Sequence, residues 1–175
     1  PPPDEGPGGP ILVVSVASNP FSRYFVEILR AEGLNEFFAM DITLVTPAIL
    51  NNYDVVILGE MPLTASHVTM FTDWVNAGGN LIAMRPDSQL ATLLGLTSAG
   101  STLSEAYLLV NTASAPGQGI VSQTIQFHGT ADQYALNDAT SVATLYSNAT
   151  TPTSYPAVTL HSVGPNGGQA AVFTY

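Results

Sequence analysis

Arg85-Pro86-Asp87, taken with Glu60, is the part of this sequence whose residue types could do chemistry. A guanidinium orients a carboxylate or a sugar hydroxyl through paired N–H donors, and neighbouring carboxylates accept hydrogen bonds from hydroxyls or move a proton. Asn19, in the turn Ser18 to Ser22, adds a neutral donor and acceptor, and Asp41 follows a second apolar run. His128, followed by Asp132 and Tyr134, is the other polar group, and imidazole titrates at about 6.5, close enough to neutrality for proton transfer. The acid–base candidates are therefore Glu60, Asp87 and His128. The candidates for ligand contact are Asn19, Glu60, Arg85, Asp87, His128 and Asp132. Each has a plainer alternative. Arg85 is one of only three cations, so acids beside it can serve as a structural ion pair, and a lone histidine after an apolar strand can be a hydrogen-bonded structural residue.

Several chemistries are excluded by composition. The chain has no cysteine, which removes disulfides, thiolate metal sites and cysteine nucleophiles together. No Gly-x-Ser-x-Gly elbow is present. The segment Ala115-Pro116-Gly117-Gln118-Gly119 lacks the Lys-Ser/Thr ending of a phosphate loop and precedes a strand pattern, so it is a turn. No second histidine lies close to His128; we expect neither a metal nor another cofactor. His67 and His161 are expected to be ordinary surface residues.

The elements that must position these groups come from apolar periodicity. Ile11 to Val16 and Val55 to Leu58 are short apolar runs suited to strands covered on both faces. Phe21, Tyr24, Phe25, Ile28 and Leu29 fall at helical spacing before Gly33. Phe37 to Leu44 predicts a second strand. Thr64 or Ser66 caps a helix carrying Val68, Phe71, Trp74 and Val75 until Gly78-Gly79, and Leu81 to Met84 returns to the sheet. Ser88 is expected to cap a short helix from Gln89 to Leu94. Beyond Leu96, strand patterns at 107–110, 120–127, 142–146, 157–160 and 170–175 alternate with Gly, Pro, Asn and Ser clusters. The expectation is an α/β, flavodoxin-like, doubly wound and mainly parallel sheet with a β-rich C-terminal half. The polar groups above would gather at the carboxyl ends of its strands. Residues 1–10, with five prolines and three glycines, predict an extended linker, and 11–175 a single domain.

Tyr53-Asp54-Val55-Val56-Ile57-Leu58-Gly59, with Phe71-Thr72-Asp73-Trp74-Val75-Asn76-Ala77-Gly78-Gly79-Asn80-Leu81-Ile82-Ala83, resembles the class I glutamine amidotransferase-like superfamily. It is similar above all to its non-amidotransferase branches: the trehalose-utilisation (ThuA-like) proteins and the middle, trimerisation domain of some β-galactosidases. The resemblance spans about residues 11 to 96. It implies a functional crevice at the strand ends and, in the amidotransferases, a cysteine on the turn after the strand matched by Leu81 to Met84. Here that turn carries Arg85, Pro86 and Asp87; glutamine hydrolysis by that route has no nucleophile. Gln126-Phe127-His128-Gly129 echoes the superfamily's Phe-His-Pro-Glu segment without its proline and glutamate.

Thirteen acidic residues face three arginines, giving a net charge of −10, so nucleic acid and anionic membranes are unsuitable partners. Charged residues make up 9% of the chain against roughly 25% in typical soluble domains. The surface must be polar and mostly uncharged. With no lysine and an Asn148-Ala149-Thr150 acceptor triplet, this composition predicts an extracellular or cell-surface protein, glycosylated at Asn148 where the host permits. No apolar run reaches the roughly 20 residues of a membrane span, and any export signal is expected to lie outside this sequence. A final strand pattern running to Tyr175 predicts a fragment of a longer protein. Three functional readings follow. The first is a catalytically silent amidotransferase-like domain serving as a binding or assembly module of a larger secreted or surface protein. The second is an enzyme acting on a sugar or small polar ligand. The third is a structural self-assembling subunit. The expected partners are other domains of the same polypeptide or copies of the chain, with a small polar ligand or carbohydrate as the ligand.

Overall fold

The structure, a computed structural model, describes residues 8–113 and 115–175. The expected linker therefore lies mostly outside the described residues; of its end, the Gly8 N–H donates to the Phe37 carbonyl at 2.9 Å. Ile11–Ser15 (β1), Phe37–Asp41 (β2), Val55–Leu58 (β3) and Asn80–Met84 (β4) pair in parallel, in the order β2-β1-β3-β4. Their crossovers carry Tyr24–Ala31 (α1), Pro47–Leu50 (α2) and Ala65–Asn76 (α3). Leu12, Val14, Val56, Leu58, Leu81 and Ala83 pack on Phe71, Trp74 and Val75 of α3. On the other face Val13, Ala39 and Ile57 pack on Val26 and Leu29 of α1. Burial on both faces explains the near-continuous apolar runs.

The flavodoxin-like, doubly wound expectation is overturned beyond β4. The remaining elements are Leu96–Ser104 (β5), Tyr107–Val110 (β6), Ile125–Gln126 (β7), Thr130–Leu136 (β8), Thr140–Asn148 (β9), Thr151–Val163 (β10) and Gly168–Phe173 (β11). β11 joins β4 in parallel, and β10, β9, β6 and β7 continue antiparallel from it into one nine-stranded mixed sheet. The physical cause is connection length. A parallel return needs a crossover of a dozen or more residues, whereas β9, β10 and β11 are joined by tight turns that allow only antiparallel pairing. Eleven strands stand against three α-helices among the described residues; the chain is mostly β.

Other boundaries also shift. Of the strand expected over 120–127, Ile125–Gln126 forms. The helix expected over 89–94 is a 3₁₀ turn, Ser88–Leu90, and its cap is Asp87, whose carboxylate accepts from the Gln89 N–H at 2.9 Å. β5 and β8 pair as a separate two-stranded sheet that the apolar pattern did not predict.

The β10–β11 turn seats against the end of α3: Asn166 Nδ2 donates to the Asn76 carbonyl at 2.8 Å. A Cβ at Gly168 would collide with the Val75 carbonyl oxygen, which is backbone and cannot swing aside. Gly168→Ala should therefore cost about 1–3 kcal/mol, visible as a lower urea midpoint. An unchanged midpoint would show that this helix–turn contact is looser than described.

Candidate functional site

Three strand ends meet in one crevice. β1 ends in the turn bearing Asn19, which caps the following 3₁₀ turn by accepting from the Phe21 N–H at 3.2 Å. Its Nδ2 also donates to the Glu60 carbonyl at 3.0 Å, tying the first turn to the loop after β3. β4 ends at Arg85, whose N–H donates to the Phe173 carbonyl at 2.7 Å. Its φ of 41° lies in the left-handed region, uncommon for a non-glycine residue. The small sheet closes the far wall with Asp132 and Tyr134 of β8 and with Ser98, Ser101 and Thr102 of β5. The crevice measures about 690 Å³.

Arg85 is committed on both sides. Nη1 donates to Glu60 Oε1 at 2.9 Å, while Nε and Nη2 form a fork on Asp132 at 3.1 and 3.3 Å. Asp87 is committed as well: Oδ2 accepts from the Leu63 N–H at 2.8 Å and Oδ1 from the Gln89 N–H. Burial alone would raise the pKa of Asp87, but the N–H groups of Gln89 and Leu63 and the Gln89 amide together outweigh it and hold the carboxyl below its ordinary value. Tyr134 is 2% exposed and donates to the Pro86 carbonyl at 3.3 Å. Its pKa is pushed up to about 12 by burial, then by the Asp132 and Asp87 carboxylates, with Arg85 opposing. The phenol remains a neutral donor.

The remaining candidates sit elsewhere. His128, its side chain 78% exposed, is not among the crevice-lining residues; its Nδ1 pairs with Glu105 Oε2 at 2.8 Å. The same carboxylate accepts from the Gly129 N–H, and this bond, followed by the histidine contact, holds Glu105 below its usual range. Asp41 accepts from Ala17 and Thr43 and so binds the β1 and β2 ends together. His67, half-buried, closes a capping box on α3 by accepting from the Thr64 N–H at 3.4 Å. His161 reaches the Leu93 carbonyl at 2.8 Å. Asn148 is exposed at the β9–β10 turn and accepts from Thr150. No group of three or more acidic or histidine side chains able to hold a metal occurs among the described residues.

Sequence reasoning placed Asp132 with His128, whereas the structure brings it to Arg85. It missed the β5 wall, where Thr97 to Thr102 offers no apolar alternation to announce a strand. Chemically, the crevice holds one guanidinium already bound, carboxylates already accepting, and hydroxyls with no base set to activate them.

No protein-family model matches the sequence, and no curated protein matches it. Solved structures share its fold. A β-galactosidase from Bacillus circulans sp. alkalophilus superposes with a TM-score of 0.72 at 11% identity, over 95% of this chain and 28% of that one. Alpha-L-fucosidase isoenzyme 2 from Paenibacillus thiaminolyticus gives 0.69 at 13%, over 95% and 29%. The mmIFT52 N-terminal domain gives 0.66 at 14%, over 94% and 85%. The chain thus spans under a third of the two glycosidases. The resemblance to a β-galactosidase domain agrees with these neighbours, while the wider amidotransferase-like assignment finds no support in them.

Two results are expected. Arg85→Ala should lose about 1–2 kcal/mol through the half-buried fork. Arg85→Gly, which loses the same contacts but relieves the left-handed backbone, should be more stable than Arg85→Ala by about 1 kcal/mol; equal chemical-denaturation midpoints would refute the strain. Because the folded pKa of Asp87 is lowered, its contribution is complete above the ordinary value of 3.8 and is lost as pH falls through the lowered one. Asp87→Asn should therefore be less stable than the native chain at neutral pH and flatten the loss of stability below that value. Parallel acid profiles would contradict this assignment.

Proposed function

We propose that this chain is a non-catalytic accessory module of a larger protein that associates, through the face bearing α1, with another domain of the same polypeptide or with a second copy. The observation that carries this reading is the apolar stripe left in water on α1 and its entry turn. Phe21, Tyr24 and Ile28 are 65, 52 and 54% exposed, and they recur at helical spacing on the side away from Val26 and Leu29. The stripe runs on: Phe21 and Phe25 border a hollow with Met84 and Tyr175, on the flank of Glu60 and Arg85. An amphipathic helix with a second apolar side suits a partner surface.

Two further points support it. The strand-end groups that an enzyme would need are engaged in holding loops, with Arg85 standing where a nucleophile would be. The glycosidases that share the fold are more than three times as long as this chain. A secreted or cell-surface setting belongs to the same proposal, supported by the absence of lysine and the exposed Asn148 acceptor.

Tyr24→Ser with Ile28→Asp should abolish concentration-dependent association in sedimentation velocity, or capture of the neighbouring domain when both are present. Because both side chains are already exposed, stability should change by no more than about 0.5 kcal/mol each. Association unaffected by the pair would overturn the reading.

A further inference from the structure

We propose that the crevice between Arg85, Glu60 and the β5 wall binds an uncharged polyhydroxylated ligand, a sugar or polyol. This site is separate from the association face and does not depend on it.

The charges exclude the alternatives. Glu60, Asp87 and Asp132 set three carboxylates against the single Arg85 guanidinium in the crevice lining, inside a chain of net charge −10. An anionic ligand is repelled. An organic cation would have to take a carboxylate from partners already at hydrogen-bond distance: Glu60 and Asp132 from Arg85, Asp87 from the Leu63 and Gln89 N–H groups. What remains available is neutral and two-sided. A guanidinium has five N–H donors, and three bonds use Nε, Nη1 and Nη2 once each, leaving donors on the two terminal nitrogens. Glu60 Oε2 accepts nothing among the described residues, and the exposed Ser18, Ser88 and Thr102 hydroxyls carry no hydrogen bond there either. Donors, acceptors and groups that are both, spread around one hollow, are met at once by a ligand whose every hydroxyl both donates and accepts. Met61, Pro62 and Pro86 supply apolar facets for its C–H surfaces. The volume of about 690 Å³ suits a small ligand. Tyr134 is buried, so no ring in the lining lies open for stacking; affinity rests on hydrogen bonds, and a Kd of order 1 mM is expected.

The test is amide and guanidinium NMR of the full chain titrated with galactose, mannose and sorbitol, and separately with glucuronate and spermidine. The neutral probes should give saturable shifts at Arg85 Nε–H and at residues 98–102, and the anion none. Ser88→Ala with Thr102→Val, which removes two exposed hydroxyls, should weaken the neutral probes about 3- to 10-fold with unchanged spectra elsewhere. Absence of saturation by every neutral probe overturns the proposal, as does spermidine binding more tightly at the same signals, or the double variant binding like the native chain. Sedimentation of the same samples reads the association face independently, so failure of one proposal does not mimic failure of the other.

Discussion

Arg85 stands between carboxylates from the two halves of the chain, and that junction organises the functional end of the molecule. Glu60 arrives on the loop after β3, within the parallel half, and Asp132 on β8, within the small second sheet. The Arg85 N–H meanwhile bonds to Phe173 at the end of β11. One residue therefore ties the parallel strands, the inserted β11 and the β5–β8 hairpin together. A planar fork on a carboxylate has a fixed geometry, which a lysine could not reproduce.

The same engagement limits what the crevice can do. General acid–base work needs a group free to exchange a proton with a ligand, and nucleophilic work needs an activated oxygen or sulfur. Here the strand-end carboxylates complete loops, the tyrosine stays protonated, and the histidine lies outside the lining. The hollow is polar and open, with binding groups but no reacting ones. On the other flank of the Arg85–Glu60 pair the surface turns apolar along α1, so binding and association have different chemical faces.

The parallel half was readable because its strands are buried on both sides and its helices carry clear apolar stripes; β1, β3, β4 and α3 fall close to where periodicity predicts them. The doubly wound architecture was not, because local pattern cannot tell whether a late strand enters the sheet beside β4 or starts a separate layer. β11 does the former through pairing with residues more than eighty positions earlier. β5 and β8 escaped because their outward residues are Ser, Thr and Gly and their inward ones include alanine. Glu60, Arg85 and Asp87 were legible as a group, since each follows a strand pattern; the Asp132 fork depends on the unpredicted hairpin and left no local trace.

A double-mutant cycle on Arg85→Ala and Asp132→Ala, followed by urea denaturation, tests this junction most directly. The account predicts a coupling of about 1 kcal/mol or more, within the range found for residues sharing one ion-pair network. Additive effects within about 0.3 kcal/mol would mean that the two halves of the chain are not joined through Arg85.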